Sequence, residues 1–100
     1  MATLLDDEAI TTALGTLDDW IRDGDALMRT VELASFSQAI QAVNRIAEIA
    51  ENDDHHPDID IRWRTLTFRC STHSAGGITA SDVSLATEIN GVVDTLRATD

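Results

Sequence analysis

One hundred residues, 43% hydrophobic and 25% charged, supply enough chain for one modest core and exclude a disordered polymer. Eighteen acidic against seven basic residues give a net charge of −11, which repels phosphate backbones and anionic lipid and argues against direct nucleic-acid binding or a membrane role. No apolar run approaches a membrane span, no leader pattern follows Met1, and the lone cysteine, Cys70, has no internal disulfide partner, so the expectation is one cytoplasmic domain over residues 1–100.

Aromatic residues are few and tyrosine is absent. The core must therefore be mostly Leu, Ile, Val and Ala, with Trp20, Trp63, Phe36 and Phe68 as its large pieces. The opening "LLDDEAITTALGTL" offers Asp6 or Asp7 as an N-cap and sets Ile10, Leu14 and Leu17 along one face, which predicts a short helix over roughly residues 6–16. After Trp20 and Ile21 the period changes. "DGD" is turn chemistry, and Leu27, Val31 and Leu33 lie on one side of an extended run, so a hairpin is expected.

"SFSQAIQAVNRIAEIAEN" is the clearest helix, with Phe36, Ala39, Ile40, Val43, Ile46, Ala47 and Ala50 at the spacing of one face and Ser35 with Gln38 as a capping box. It ends at Asn52 and the acidic pair. Beyond Pro57, Ile59, Ile61 and Trp63 alternate with charged residues as in a half-buried strand, while Leu66, Phe68 and Cys70 alternate in the opposite phase. A bulge or a tight turn near Arg64 and Thr65 accounts for the shift. "HSAGGITASD" is a loop, and Val83, Ala86, Ile89, Val93 and Leu96 mark a last helix capped by Thr79 or Ser81. The order α-β-β-α-β-β-α predicts an α+β fold, an antiparallel sheet covered by helices on one face.

All three histidines, His55, His56 and His73, sit at two junctions between these elements. Pro57 holds the residue before it extended, so His55 and His56 should point to opposite sides and do different work. Three readings compete. They are ordinary surface or helix-end residues, with His55 capping the last carbonyls of the second helix. Or they bind a metal with Asp53 or Asp54, although no His-Glu-x-x-His and no CxxC is present. Or they perform acid–base catalysis on a small molecule, because imidazole titrates nearest neutrality and one ring can donate a proton while another accepts one. The acids Glu51, Asp53, Asp54 and Asp82 could then orient ring nitrogens. Cys70, inside the strand alternation, reads as core and not as a nucleophile.

Glu51, three residues, "HHP", five residues to Trp63, nine to His73 and eight to Asp82 form a spaced pattern that resembles the signature of the pterin-4a-carbinolamine dehydratases. The likeness extends to Trp20, "TVELASFSQAI", "STH" and "ITASDVSLATEI", and covers roughly residues 5–97. It departs from many relatives at Ile59, where they carry an aromatic residue after the proline.

The resemblance implies four antiparallel strands with three helices on one face, and assembly into homodimers or homotetramers. It also implies loss of water from a 4a-hydroxytetrahydropterin to give the quinonoid dihydropterin, without a cofactor or metal, in the recycling of the tetrahydropterin used by aromatic amino acid hydroxylases. By position in the motif, His55 and His73 would be the acid–base pair and His56 would bind and orient the pterin. Asp54, Ser71, Thr72, His73 and Ser74 would hydrogen-bond the ring and its substituents, and Glu51 and Asp82 would orient histidines or pin helix ends. Trp63 and Trp20 read as core. The alternatives are a non-catalytic protein-binding or coregulator module of the same fold, and action on another pterin, as in molybdopterin metabolism.

Overall fold

A computed structural model describes residues 3–98. The elements follow the expected order: α1 (Asp7–Leu14), β1 (Ile21–Asp23), β2 (Ala26–Glu32), α2 (Phe36–Asp53), β3 (Asp58–Arg62), β4 (Thr65–Cys70) and α3 (Ala80–Arg97). The strands form one antiparallel sheet in the order β1-β2-β4-β3, so β4 returns between the first hairpin and the strand that precedes it.

Both hairpins turn in two residues. Asp23 pairs with Ala26 across Gly24-Asp25, and Gly24 has φ 62°, a left-handed conformation that glycine adopts without a Cβ clash. Arg62 pairs with Thr65 across Trp63-Arg64. A two-residue turn sets odd positions opposite even ones, so Ile59 faces Phe68 and Ile61 faces Leu66. The phase shift read from the sequence is thus a tight turn and not a bulge.

The inner face carries Leu27, Arg29 and Val31 of β2 opposite Cys70, Phe68 and Leu66 of β4, all buried. On the outer face Thr30 and Thr67 pair across the strands, with their hydroxyl oxygens 3.0 Å apart. The helices close over the inner face through Ile10, Ala39, Ala42, Ile46, Leu85, Ile89 and Val93.

Three helix ends explain how the covering layer is held. Asp6 caps α1 by accepting from the Ala9 N–H at 2.8 Å. Ser35 caps α2 by accepting from the Gln38 N–H at 3.0 Å. The return half of the expected capping box is displaced by one residue, because Gln38 Oε1 accepts from the N–H of Ala34 and not Ser35. Its Nε2 donates to the Leu96 carbonyl at 3.0 Å and ties the start of α2 to the end of α3.

Two aromatic assignments are corrected. Trp63 is 71% exposed, because it is the first residue of the β3–β4 turn, at φ 55°, and has left the strand alternation. The Arg64 guanidinium lies 4.8 Å from its ring centroid. Phe36 is 51% exposed and Ala47 is exposed as well, while burial on α2 runs through Ala39, Ala42, Ile46 and Ala50. That stripe is one residue, roughly 100° of helix, away from Phe36, Ile40, Val43 and Ala47, where Ile40 and Val43 are half-buried and Phe36 and Ala47 are left exposed.

Trp20 is core as expected, and its indole N–H donates to Asn90 Oδ1 at 2.7 Å. The same oxygen accepts from Arg29 at 2.6 Å. Arg29 is 4% exposed, and burial lowers its pKa while Asp19, 3.6 Å away, opposes the shift. Truncating Trp20 to Ala removes a buried ring and the donor to Asn90, with an expected cost of about 3–5 kcal/mol, whereas Trp63→Ala should cost about 1 kcal/mol or less. Urea melts compare the two, and acrylamide should quench Trp63 in a Trp20→Phe variant far more than Trp20 in a Trp63→Phe variant.

Candidate active site

The end of α2 sets the first two histidines. Asp54 adopts left-handed dihedrals, φ 49° and ψ 42°, and its N–H donates to the Glu51 carbonyl at 3.3 Å while the His55 N–H donates to the Ala50 carbonyl at 3.0 Å. These two bonds form a Schellman motif, in which the chain turns back across the helix end. Aspartate tolerates the left-handed region better than most residues with a Cβ. Pro57 stands three residues on, so the helix does not resume, and it disfavours helical dihedrals at His56.

The two side chains then diverge. His55 Nε2 lies 2.5 Å from Asp82 Oδ1, with the histidine 16% exposed and the aspartate fully buried. His56 Nε2 lies 2.5 Å from Glu51 Oε2, and both of those side chains are exposed. One imidazole is fastened inward to α3 and the other outward to α2.

Asp82 stands in the first turn of α3. Its Oδ2 accepts from the Thr79 backbone N–H at 2.9 Å and from the Thr72 hydroxyl at 2.8 Å, while Thr79 Oγ1 is 2.8 Å from Thr72 Oγ1. With Oδ2 accepting twice, the carboxylate is fitted to accept a third bond, from His55 Nε2–H. That fixes the tautomer and leaves Nδ1 as the atom that can exchange a proton. Nδ1 has no hydrogen-bond partner among the described residues.

Thr72 also anchors the loop that carries the third histidine. Its N–H donates to the Gly77 carbonyl at 2.8 Å, and its carbonyl accepts from Ala75 at 3.1 Å and Gly76 at 2.9 Å. Gly76, at φ 76°, closes this loop, and His73 and Ser74 lie exposed at its tip. Ser71 is tied elsewhere, its hydroxyl donating to the Asp25 carbonyl at 2.7 Å in the β1–β2 turn.

Of the residues expected from sequence, His55, Asp82 and Thr72 are joined by direct hydrogen bonds, and His73 is the next residue along the chain from Thr72. His56 and Glu51 form a separate pair, and Asp54 is the exposed helix cap. Among the described residues no three His, Cys, Asp or Glu side chains group as a metal ion would need.

Beside His55 opens a cavity of about 400 Å³ lined by Asp53, His55, Ala80, Ser81, Ser84 and Glu88. Ser84 and Glu88 were not singled out from the sequence. With Ser81 they recur at i, i+3 and i+7, a polar stripe on α3 that begins at its N-terminus. The Glu88 pKa is raised from its ordinary value, first by hydrogen bonding to the Asp53 carboxyl, then by burial and by the charge of Asp53.

The neighbouring thiol is no part of this chemistry. Cys70 is fully buried, and burial, reinforced by Asp82 and Asp58, pushes it up to about 12. It should resist alkylation by iodoacetamide at pH 8 in the native protein and react promptly once urea unfolds the chain, as mass spectrometry would show. Removing the carboxylate by Asp82→Ala takes from the Thr79 N–H, the Thr72 hydroxyl and the His55 Nε2–H the acceptor they share, and should cost about 3–5 kcal/mol in a denaturant melt.

Comparison with known proteins identifies the family. Residues 3–92 match the family model described as pterin 4 alpha carbinolamine dehydratase. A protein of Nocardia farcinica provisionally named pterin-4-alpha-carbinolamine dehydratase is 60% identical over 87 residues, covering 87% of this chain and 92% of its own. One from Mycobacterium avium with the same provisional name is 57% identical over 90 residues, covering 90% and 96%. The crystal structure of a transcriptional coactivator/pterin dehydratase from Brucella melitensis superposes with a TM-score of 0.89 at 28% identity, covering 91% of this chain and 99% of that one.

Proposed function

Because the chain belongs to the pterin-4-alpha-carbinolamine dehydratase family, we propose that it removes water from a 4a-hydroxytetrahydropterin, with His55 and His73 as the proton-exchanging pair. The C4a–O bond breaks as the leaving oxygen takes a proton and departs as water. A proton leaves the adjacent ring nitrogen, and its electron pair becomes the new C4a–N double bond of the quinonoid dihydropterin. One imidazole gives a proton and another takes one, so no net charge is left behind.

The observation that carries this reading is the 2.5 Å contact of His55 with buried Asp82, whose second oxygen holds Thr72, the residue before His73. One carboxylate thereby supports both segments that bear the proposed acid and base. His56, steadied by Glu51, binds the pterin from the exposed side, and Asp54 and Ser74 contribute hydrogen bonds to the ring and its substituents. Thr72 and Ser71 serve through position: the first hydroxyl is committed to Asp82 and the second to the Asp25 carbonyl.

In the cell this reaction would supply the quinonoid dihydropterin that a separate two-electron reduction returns to the tetrahydropterin of an aromatic amino acid hydroxylase, in the cytoplasm and by a homodimer or homotetramer. A second reading, a protein-binding module, is favoured by one observation: the exposed Phe36 and Ala47 with half-buried Ile40 and Val43 along α2. Such a module would not need its histidines.

Dehydration of 4a-hydroxytetrahydrobiopterin, followed by ultraviolet absorbance, separates the two. Wild type should accelerate it, and His55→Ala and His73→Ala should each lose roughly 10²–10⁴-fold in kcat, the usual contribution of a positioned acid or base. A folded wild-type protein that gives no acceleration, or variants that keep full rate, would refute the dehydratase reading.

A further inference from the structure

The hydroxyls behind Asp82 form a line whose direction follows from counting hydrogens. An ionised carboxylate only accepts, and a threonine hydroxyl has one hydrogen to give. Thr72 Oγ1 lies 2.8 Å from Asp82 Oδ2 and gives it that hydrogen. It also lies 2.8 Å from Thr79 Oγ1, where, with its hydrogen spent, it can only accept. Thr79 thus donates to Thr72, and Thr72 to the carboxylate that holds His55 Nε2 on its other oxygen. Thr72, Thr79 and Asp82 are all buried, where successive bonds strengthen one another.

Thr79 is the fixed end of this line. Its backbone N–H donates to Asp82 Oδ2 at 2.9 Å. It forms an antiparallel bridge with Leu4, and the Leu5 N–H donates to the carbonyl of Ile78 at 2.9 Å. Leu4 also closes over the base of the His73 loop, since a Cβ added at Gly77 would stand 2.9 Å from Leu4 Cδ2. The N-terminal segment and the first turn of α3 therefore hold the Thr79 backbone from two sides. We infer that Thr79 is a positioning residue for the dehydration: its hydroxyl, given to Thr72, holds the His73 loop and the Asp82–His55 pair in one geometry. For the reaction it serves, this role rests on the dehydratase reading above. Two groups that exchange protons with one ring must keep their spacing, and a displacement of about 1 Å can cost roughly 10²-fold in rate.

The test measures dehydratase rates, and the ring nitrogen chemical shifts of His55 read through its carbon-bound protons, in Thr79→Val, Thr79→Ser, Thr72→Val and the double valine variant. Valine keeps the buried shape and removes the hydroxyl, whereas serine keeps the hydroxyl and removes a methyl. Thr79→Val should lose roughly tenfold in kcat with KM close to wild type, and should move the Nε2 shift of His55 as its bond to Asp82 changes. Thr79→Ser should restore both. Thr79 is also the N-cap of α3, and a capping role alone would persist when Thr72 is changed. In the Thr72→Val background, Thr79→Val should instead add little further loss, because the acceptor of its hydroxyl is gone.

Thr72→Val breaks the same line one bond further on, so it should show the same loss of kcat and move the same His55 signal even where Thr79→Val unfolds. A folded Thr79→Val with full rate and unchanged His55 shifts overturns the assignment. So does a serine variant that loses more than the valine one, or a valine pair whose losses multiply. A wild type that is inactive while the His55 shifts still follow the Thr79 hydroxyl keeps the positioning role and removes the reaction it would serve.

Discussion

A single buried carboxylate organises the functional end of this fold. Asp82 accepts from a helix N-terminal backbone group, a threonine two residues beyond β4 and a histidine beyond the neighbouring helix. Each bond satisfies a group that would otherwise be unpaired, and three elements distant in sequence meet at one residue. A fully buried charge is costly unless it is surrounded by donors, and Asp82 has them. The same atom group that begins α3 also defines the tautomer of His55, so local folding and site assembly are one event. Helix capping and histidine orientation, which the sequence leaves as alternative roles for Asp82, are carried by its two oxygens separately.

The second organising feature is the end of α2. The left-handed Asp54 lets the chain reverse direction and deliver two histidines to opposite sides within two residues. A glycine would take this conformation with less strain.

Much of this was legible in the sequence, and for definite reasons. Period-3.6 and period-2 patterns located all seven elements, and the spacing from Glu51 to Asp82 placed the histidines at two junctions that the fold brings together through Thr72 and Asp82. What escaped was information held in tertiary cover. Phe36 and Ala39 lie on adjacent stripes of α2, and only the position of the sheet decides which is buried. Trp63 continues the apolar alternation of Ile59 and Ile61 in sequence, but the turn begins there, and no local pattern separates a last strand residue from a first turn residue when both are tryptophan. Arg29 sits in phase with Leu27 and Val31, which puts it on the inner face, yet its charge disguises a residue whose partners, Asn90 and Asp19, come from elsewhere in the chain. Ser84 and Glu88 gain meaning only from the cavity they line.

The two-residue hairpins bear on how such a chain can change over evolutionary time. Both faces of the sheet depend on the parity of those turns, since Ile59 meets Phe68 and Ile21 meets Met28 only while each loop holds an even count. An insertion of one residue in the β3–β4 turn would have to be absorbed by a bulge, or it would turn Ile59 and Ile61 away from Phe68 and Leu66 to the other face. Length variation is therefore restricted at the hairpins and free to accumulate in connections that carry no register. The Thr72–Gly77 loop is fastened at its two ends and exposed at its tip. Descendants of this sequence can lengthen or reshape the rim around His73 there without disturbing the sheet beneath it.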